Sequence, residues 1–218
     1  GEVDLKQVRH DIDTLDQVIL SAIEDRAALA AQVSAAKSGR HTFRPGREAD
    51  LISALIRQSS LPPALVEQIW RIIIAHNLTS QAGLVIARLD DDDTAAAAAF
   101  RFGAQYDARL HAAAADVVDA VAAGDAHLGI VPDWSRDATW LDHLAACRSK
   151  GGDVYIAAQT HILSSHGLAQ SAVLSPVLPD PSQADVTLCL GAAGLETHDG
   201  YHPDATAILG IIQKCDIS

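Results

Sequence analysis

Apolar residues recur three and four positions apart through the first forty residues, at Leu5, Val8, Ile12, Leu15, Ile19, Ala22, Leu29 and Val33. That spacing predicts one long amphipathic helix, from about Val3 to Ser38, stopped by Gly39. In the apolar slot after Ala22 the chain carries Arg26, and Lys37, about three turns on, returns to nearly the same face. Unpaired cations on a buried seam are strongly disfavoured. Either internal carboxylates neutralise these two, or the seam binds a small acid. At about 1.5 Å per residue the helix spans roughly 50 Å. Two short partners cannot bury such a seam, so the pattern predicts pairing between chains.

A basic loop over 40–46 leads to a second helix, expected at about Arg47–Ser59, with Leu51, Ile52, Leu55 and Ile56 inward. Pro62–Pro63 opens a third, expected to run to about Gln81. Its seam is Val66, Ile69/Trp70 and Ile73/Ile74, but Asn77 and Gln81 then fill slots where apolar residues should recur. Amides there either cap a helix end or offer donors to the same cavity as Arg26 and Lys37.

Beyond residue 82 the period changes. Gly83–Ala87 reads as a buried strand, Asp90–Asp93 as a solvated loop supplying a helix N-cap, and Thr94–Phe102 as an Ala-rich helix. Asp116–Ala123 is a further helix, His127–Val131 a strand, and Asp153–Ala158 and Asp185–Leu190 further strand candidates. Strands alternating with helices predict an α/β sheet. Charge shifts at the same point: nine basic and ten acidic residues up to 82, seven and eighteen after it. The expected domains are therefore 1–82, helical, and 83–218, α/β.

A formal net charge of −12 over 218 residues argues against nucleic acid or an anionic membrane as partner. Cys147, Cys189 and Cys215 are widely spaced and odd in number, which reads as ordinary thiols in a reducing compartment. No apolar run approaches membrane length, and residues 1–20 form a charged amphipathic helix rather than a signal peptide. A cytoplasmic protein is expected. The histidines at 111, 127, 143, 161, 166, 198 and 202 lack metal-ligand spacing, so no metal is expected.

The opening run Leu5-x-x-x-Arg9-x-x-Ile12-Asp13-x-x-Asp16, then Arg26, Lys37, the pair Arg47–Glu48 and finally Gln81 form an ordered set. Leu5–Gln81 resembles the all-helical (AroQ-type) chorismate mutases in these residues. The resemblance implies a three-helix all-α domain that rearranges chorismate to prephenate. It also implies that Arg9, Arg26 and Arg47 engage two carboxylates, Lys37 and Gln81 the ether oxygen, and Glu48 the substrate hydroxyl. Two positions depart from the family. Arg44 stands where Asp is usual, and Asn77 where Ser is usual; both are counted here among the substrate-binding residues. A unimolecular pericyclic step needs no nucleophile, metal or cofactor, only a cavity holding a compact conformer and fixed donors at the breaking ether bond. Arg9 and Arg26 are seventeen residues apart, roughly 25 Å along one helix, so one small dicarboxylate reaches both only across an intertwined homodimer with Arg9 supplied in trans.

The run Asp116–Pro132 resembles part of the prephenate dehydratase domain. The family's Gly-Pro-rich loop is replaced by Asp90–Asp93, its Glu-Asn by Asp133–Trp134, and its Thr-Arg-Phe by Thr187-Leu188-Cys189. A degenerate, non-dehydratase domain with a regulatory, docking or stabilising role is therefore expected. Rival readings of the whole are an isochorismate–pyruvate lyase, an aminodeoxychorismate mutase, and a non-catalytic sensor of chorismate or prephenate that docks on another enzyme through its acidic domain.

Overall fold

The computed structural model describes residues 3–37, 43–80, 83–163 and 166–216. By contacts the chain forms two compact units, Gly1–Arg40 and His41–Ser218. The first contains one helix, α1 (Leu5–Ala36). Asp4 starts it by accepting hydrogen bonds from the Lys6 and Gln7 amides, which satisfies two donors that every helix start leaves open. No residue of α1 is buried. Leu5, Val8, Ile12, Leu15, Val18, Ile19, Leu20, Ile23, Leu29 and Val33 are all exposed.

The second unit begins with α2 (Pro45–Gln58) and α3 (Pro63–Thr79), each carrying proline in its first turn. There the missing N–H costs nothing and the fixed φ suits a helix. The second helix thus starts two residues before the expected Arg47, and the third ends at Thr79. Gln81 lies outside the described residues.

A mixed eight-stranded sheet follows, in the order β2-β1-β3-β5-β4-β8-β6-β7. Its strands are β1 (Val85–Leu89), β2 (Asp107–His111), β3 (Leu128–Pro132), β4 (Tyr155–Gln159), β5 (Ser171–Ser175), β6 (Asp185–Gly191), β7 (Gly194–Asp199) and β8 (Ile208–Gln213). Strands β2, β1 and β3 are parallel, joined through α4 (Asp92–Phe102) and α5 (Ala114–Ala123). The helix α6 (Thr139–Ser149) precedes β4. Alternation along β3 divides the core. Leu128 and Ile130 pack with Ala97, Ala98 and Phe102 of α4 on one face. Val131 packs with Val117, Val118 and Val121 of α5, and with Trp140 and Leu144 of α6, on the other. Gly129 is needed between them, because a Cβ there would lie 2.9 Å from both Val117 and Val121.

The expected strands and helices exist with ends moved by at most two residues. The anticipated cap is also present: Asp91 accepts from the Thr94 amide at 2.7 Å. Sequence patterning missed β2, α6, β5, β7 and β8. The edge strands β2 and β7 are exposed and polar, so they lack an apolar alternation. In β8, Gly210 breaks the apolar run, yet a Cβ there would sit 2.0 Å from the Ile156 carbonyl oxygen, so close approach to β4 demands glycine. Leu78 of α3 packs with Leu84, Ile86 and Phe102, so α3 shares a core with the sheet although composition changes at 82. No helix among the described residues is long and apolar enough to cross a membrane.

Candidate functional site

Three of the expected site residues lie on or at the end of α1. Arg9 is exposed, Arg26 is half-buried, and Lys37 is the C-cap residue, its amide donating to the Ser34 carbonyl at 3.1 Å. The Arg26 Nη1 is shielded from solvent and has no hydrogen-bond partner among the described residues. Because α1 runs without a break from Leu5 to Ala36, Arg9 and Arg26 are separated by about 25 Å along it.

The head of α2 holds three more. Arg44 occupies the N-cap position, but its side chain caps nothing. The cap comes from 134 residues away: Asp180 accepts from the Gly46 amide at 3.0 Å and from the Arg47 amide at 2.9 Å. The Arg44 Nε lies 3.5 Å from the same carboxylate. A carboxylate on two first-turn amides also suits the positive end of the helix. Arg44, Arg47, Asp50, Leu51, Asp180 and Pro181 line a basin of about 450 Å³. Asn77 is half-buried on α3 and engaged with a neighbour.

Glu48 turns the other way, into a buried ionic network. Its Oε2 accepts from Arg101 of α4 at 2.9 Å and lies 3.7 Å from Arg71 of α3. Its Oε1 takes no hydrogen bond among the described residues. Arg71 also pairs with Glu67 at 3.2 Å, one turn back on α3. Glu67 is fully buried and accepts from the Ile162 amide (2.9 Å), the Leu163 amide (3.2 Å) and His166 Nε2 (2.8 Å). Burial alone would raise the Glu67 carboxyl, but Arg71 and the hydrogen bonds from Ile162 and His166 hold it below its ordinary value. Arg101 donates to the carbonyls of Gln159 and Thr160 as well. Burial, with Arg71 beside it, pushes Arg101 down to about 10, so it stays charged at neutral pH. Two arginines and two glutamates balance, which is how four buried charges persist.

In the α/β segment, Leu188 is fully buried in the apolar core, and Thr187 donates its hydroxyl to the Gly200 carbonyl at 2.7 Å. Asp133 is held by Ser135 and by Gln159 Nε2 at 2.8 Å. Asp93 pairs with Arg136. Among the described residues no three His, Cys, Asp or Glu are arranged to hold a metal ion.

Sequence reasoning missed Arg71, Glu67, Arg101 and Asp180. The first two carried a signal: a Glu and an Arg four apart beside the apolar seam of α3, the spacing of a helical ion pair. Nothing local marked Arg101 or Asp180, whose roles depend on long-range packing.

Residues 8–82 match the family model of chorismate mutase type II. The match supports chorismate mutase activity in general, that of an isomerase acting on a small molecule. No curated protein matches the sequence. A solved structure described as "GqqA- a novel type of quorum quenching acylases" is similar at 14% identity, covering 59% of this chain and 94% of that one, with a TM-score of 0.37. A likeness that low carries no argument about function.

Proposed function

We propose that the protein is a chorismate mutase working as a homodimer, converting chorismate to prephenate by electrostatic stabilisation without a cofactor. The observation that carries this reading is the coincidence within 8–82 of the family match and of the cations Arg9, Arg26, Lys37 and Arg47. In this reading Arg26, Arg47 and a partner chain's Arg9 grip the two carboxylates and select the compact conformer. Arg44 adds charge at the mouth, and Asn77 an amide. Lys37 and Gln81 donate to the ether oxygen, where negative charge grows as its bond to carbon breaks. The Nη1 of Arg26, shielded and without a hydrogen-bond partner among the described residues, supports an anion there, since a guanidinium donor left unmade is costly.

Glu48 keeps the hydroxyl-binding role on this reading. A carboxylate has about four acceptor sites. Arg101 donates to Oε2, and Arg71 lies 3.7 Å from the same oxygen, which leaves Oε1 for the substrate. Residues 83–218 have a stabilising role, supported by the core that α3 shares with α4 and β1. The dehydratase-like stretch is read as inactive, because Leu188 offers no cation and four aspartates line Asp90–Asp93. Dimerisation is supported by the apolar face of α1, a helix with no buried residue.

The experiment is continuous chorismate consumption by wild type and by Lys37→Ala. Losing one donor from such a site typically costs about 10²–10³ in kcat. A Lys37→Ala protein with near-normal turnover would remove Lys37 from the site.

A further inference from the structure

The loop between β5 and β6 reaches the head of α2 and is itself held from several directions. Tyr201 donates its hydroxyl to the Pro179 carbonyl at 2.7 Å, and Ser182 is tied to Asp185 through its amide at 2.7 Å and its hydroxyl at 2.6 Å. The Gln183 amide donates to Asp50 on α2 at 2.8 Å. Between these anchors Asp180 meets the Gly46 and Arg47 amides. Contact is so close that a Cβ on Gly46 would lie 2.3 Å from the Asp180 carbonyl oxygen. The Asp180 side chain is only 15% exposed, so its charge is held rather than waving in solvent. On the other side of the same helical turn, Arg101 holds the Glu48 carboxylate and is fixed in turn by the Gln159 and Thr160 carbonyls.

We infer that Asp180 and Arg101, both outside the stretch that matches the mutase family, are positioning residues for the substrate site. Asp180 sets the backbone of the turn that carries Arg47, and Arg101 sets the carboxylate of Glu48. The α/β segment thereby completes the helical domain. Arg44 cannot cap its own helix, and a distant aspartate supplies that cap. This inference rests on the reading of Arg47 and Glu48 as substrate ligands, and it names the residues that determine where those ligands point.

The test uses the full-length protein as Asp180→Ala, Asp180→Asn and Arg101→Lys, with Val177→Ala as control. Val177 lies in the same loop but is 63% exposed. Two readouts are taken: kinetics with chorismate, and amide hydrogen exchange over residues 43–51. In Asp180→Ala, exchange at the head of α2 should quicken about tenfold and KM should rise by about tenfold, with a smaller change in kcat. Asp180→Asn should fall between, because its amide oxygen can accept one of the two bonds; it also serves if the alanine variant does not fold. Arg101→Lys keeps the charge but loses the fork geometry, so it should weaken turnover while the protein remains folded. Val177→Ala should match wild type. Unchanged exchange in the Asp180 variants overturns the clamp, and faster exchange with unchanged KM reduces Asp180 to a structural cap and overturns positioning. A wild type that leaves chorismate untouched would defeat the mutase reading instead, and the exchange arm would still decide the clamp.

Discussion

Glu67 has no exposure at all and answers to Arg71, His166 and two backbone amides at once. Glu67→Gln would leave the buried Arg71 and Arg101 with Glu48 alone as counter-charge, so it should cost about 3–5 kcal/mol in chemical denaturation. The pH dependence has a definite sign. The folded carboxyl is held below its ordinary 4.5, so its contribution is complete above that value and is lost as pH falls through the lower folded one. The stability gap between wild type and Glu67→Gln should therefore be flat above pH 4.5 and close below it; a gap constant into strong acid would argue against the ion pair. Gly46→Ala puts a methyl 2.3 Å from one backbone oxygen and 2.7 Å from another, and should cost about 1–3 kcal/mol. A melting temperature equal to wild type would mean that the 180–181 loop moves freely. At this scale the sequence was half legible. Arg26 and Asn77 stand out in the sequence because they interrupt apolar seams. Asp180 did not, because no local pattern distinguishes an aspartate that caps a remote helix from one in solvent.

Among the elements, α1 is the most legible and the least self-sufficient. Its heptad-like spacing predicts a helix to about Ser38; the helix runs to Ala36, and its exposed residues include Leu15 at 60%, Val18 at 59% and Ile19 at 56%. So much apolar surface on one helix marks an interaction face. We expect a dimer by sedimentation at micromolar concentration, and a monomer for Ile19→Asp. A wild-type monomer would contradict the expectation. If the two copies exchange ends, mixing Arg9→Ala with Arg26→Ala subunits should restore activity that each homodimer lacks, because one mixed site is intact. Mixed dimers as inactive as their parents would make Arg9 a surface charge. The edge strands were illegible for the opposite reason: β2 and β7 are held by main-chain pairing on one side and bury little. Their side chains carry no period to read.

Over the whole molecule, the division suggested by composition at 82 and the packing of the chain are different things. Charge changes there, from nine basic and ten acidic residues to seven and eighteen, yet α3 lays Leu78 on the sheet core and sends Glu67 and Arg71 into contacts with the 162–163 backbone and Glu48. A fragment ending at residue 82 would expose that face and leave Glu67 unpaired with its amides. It should melt without cooperativity, as read by far-UV circular dichroism; a cooperative transition like that of the full chain would mean that the helices stand alone. Long-range pairings of this kind have no signature in a single sequence, which is why the helical resemblance was readable and its dependence on the sheet was not. The claim beneath all of these is the rearrangement itself, and product identification tests it most directly. Full-length protein incubated with chorismate should yield prephenate faster than the spontaneous reaction, with no phenylpyruvate above background. Release of pyruvate, or chorismate recovered unchanged, would contradict it.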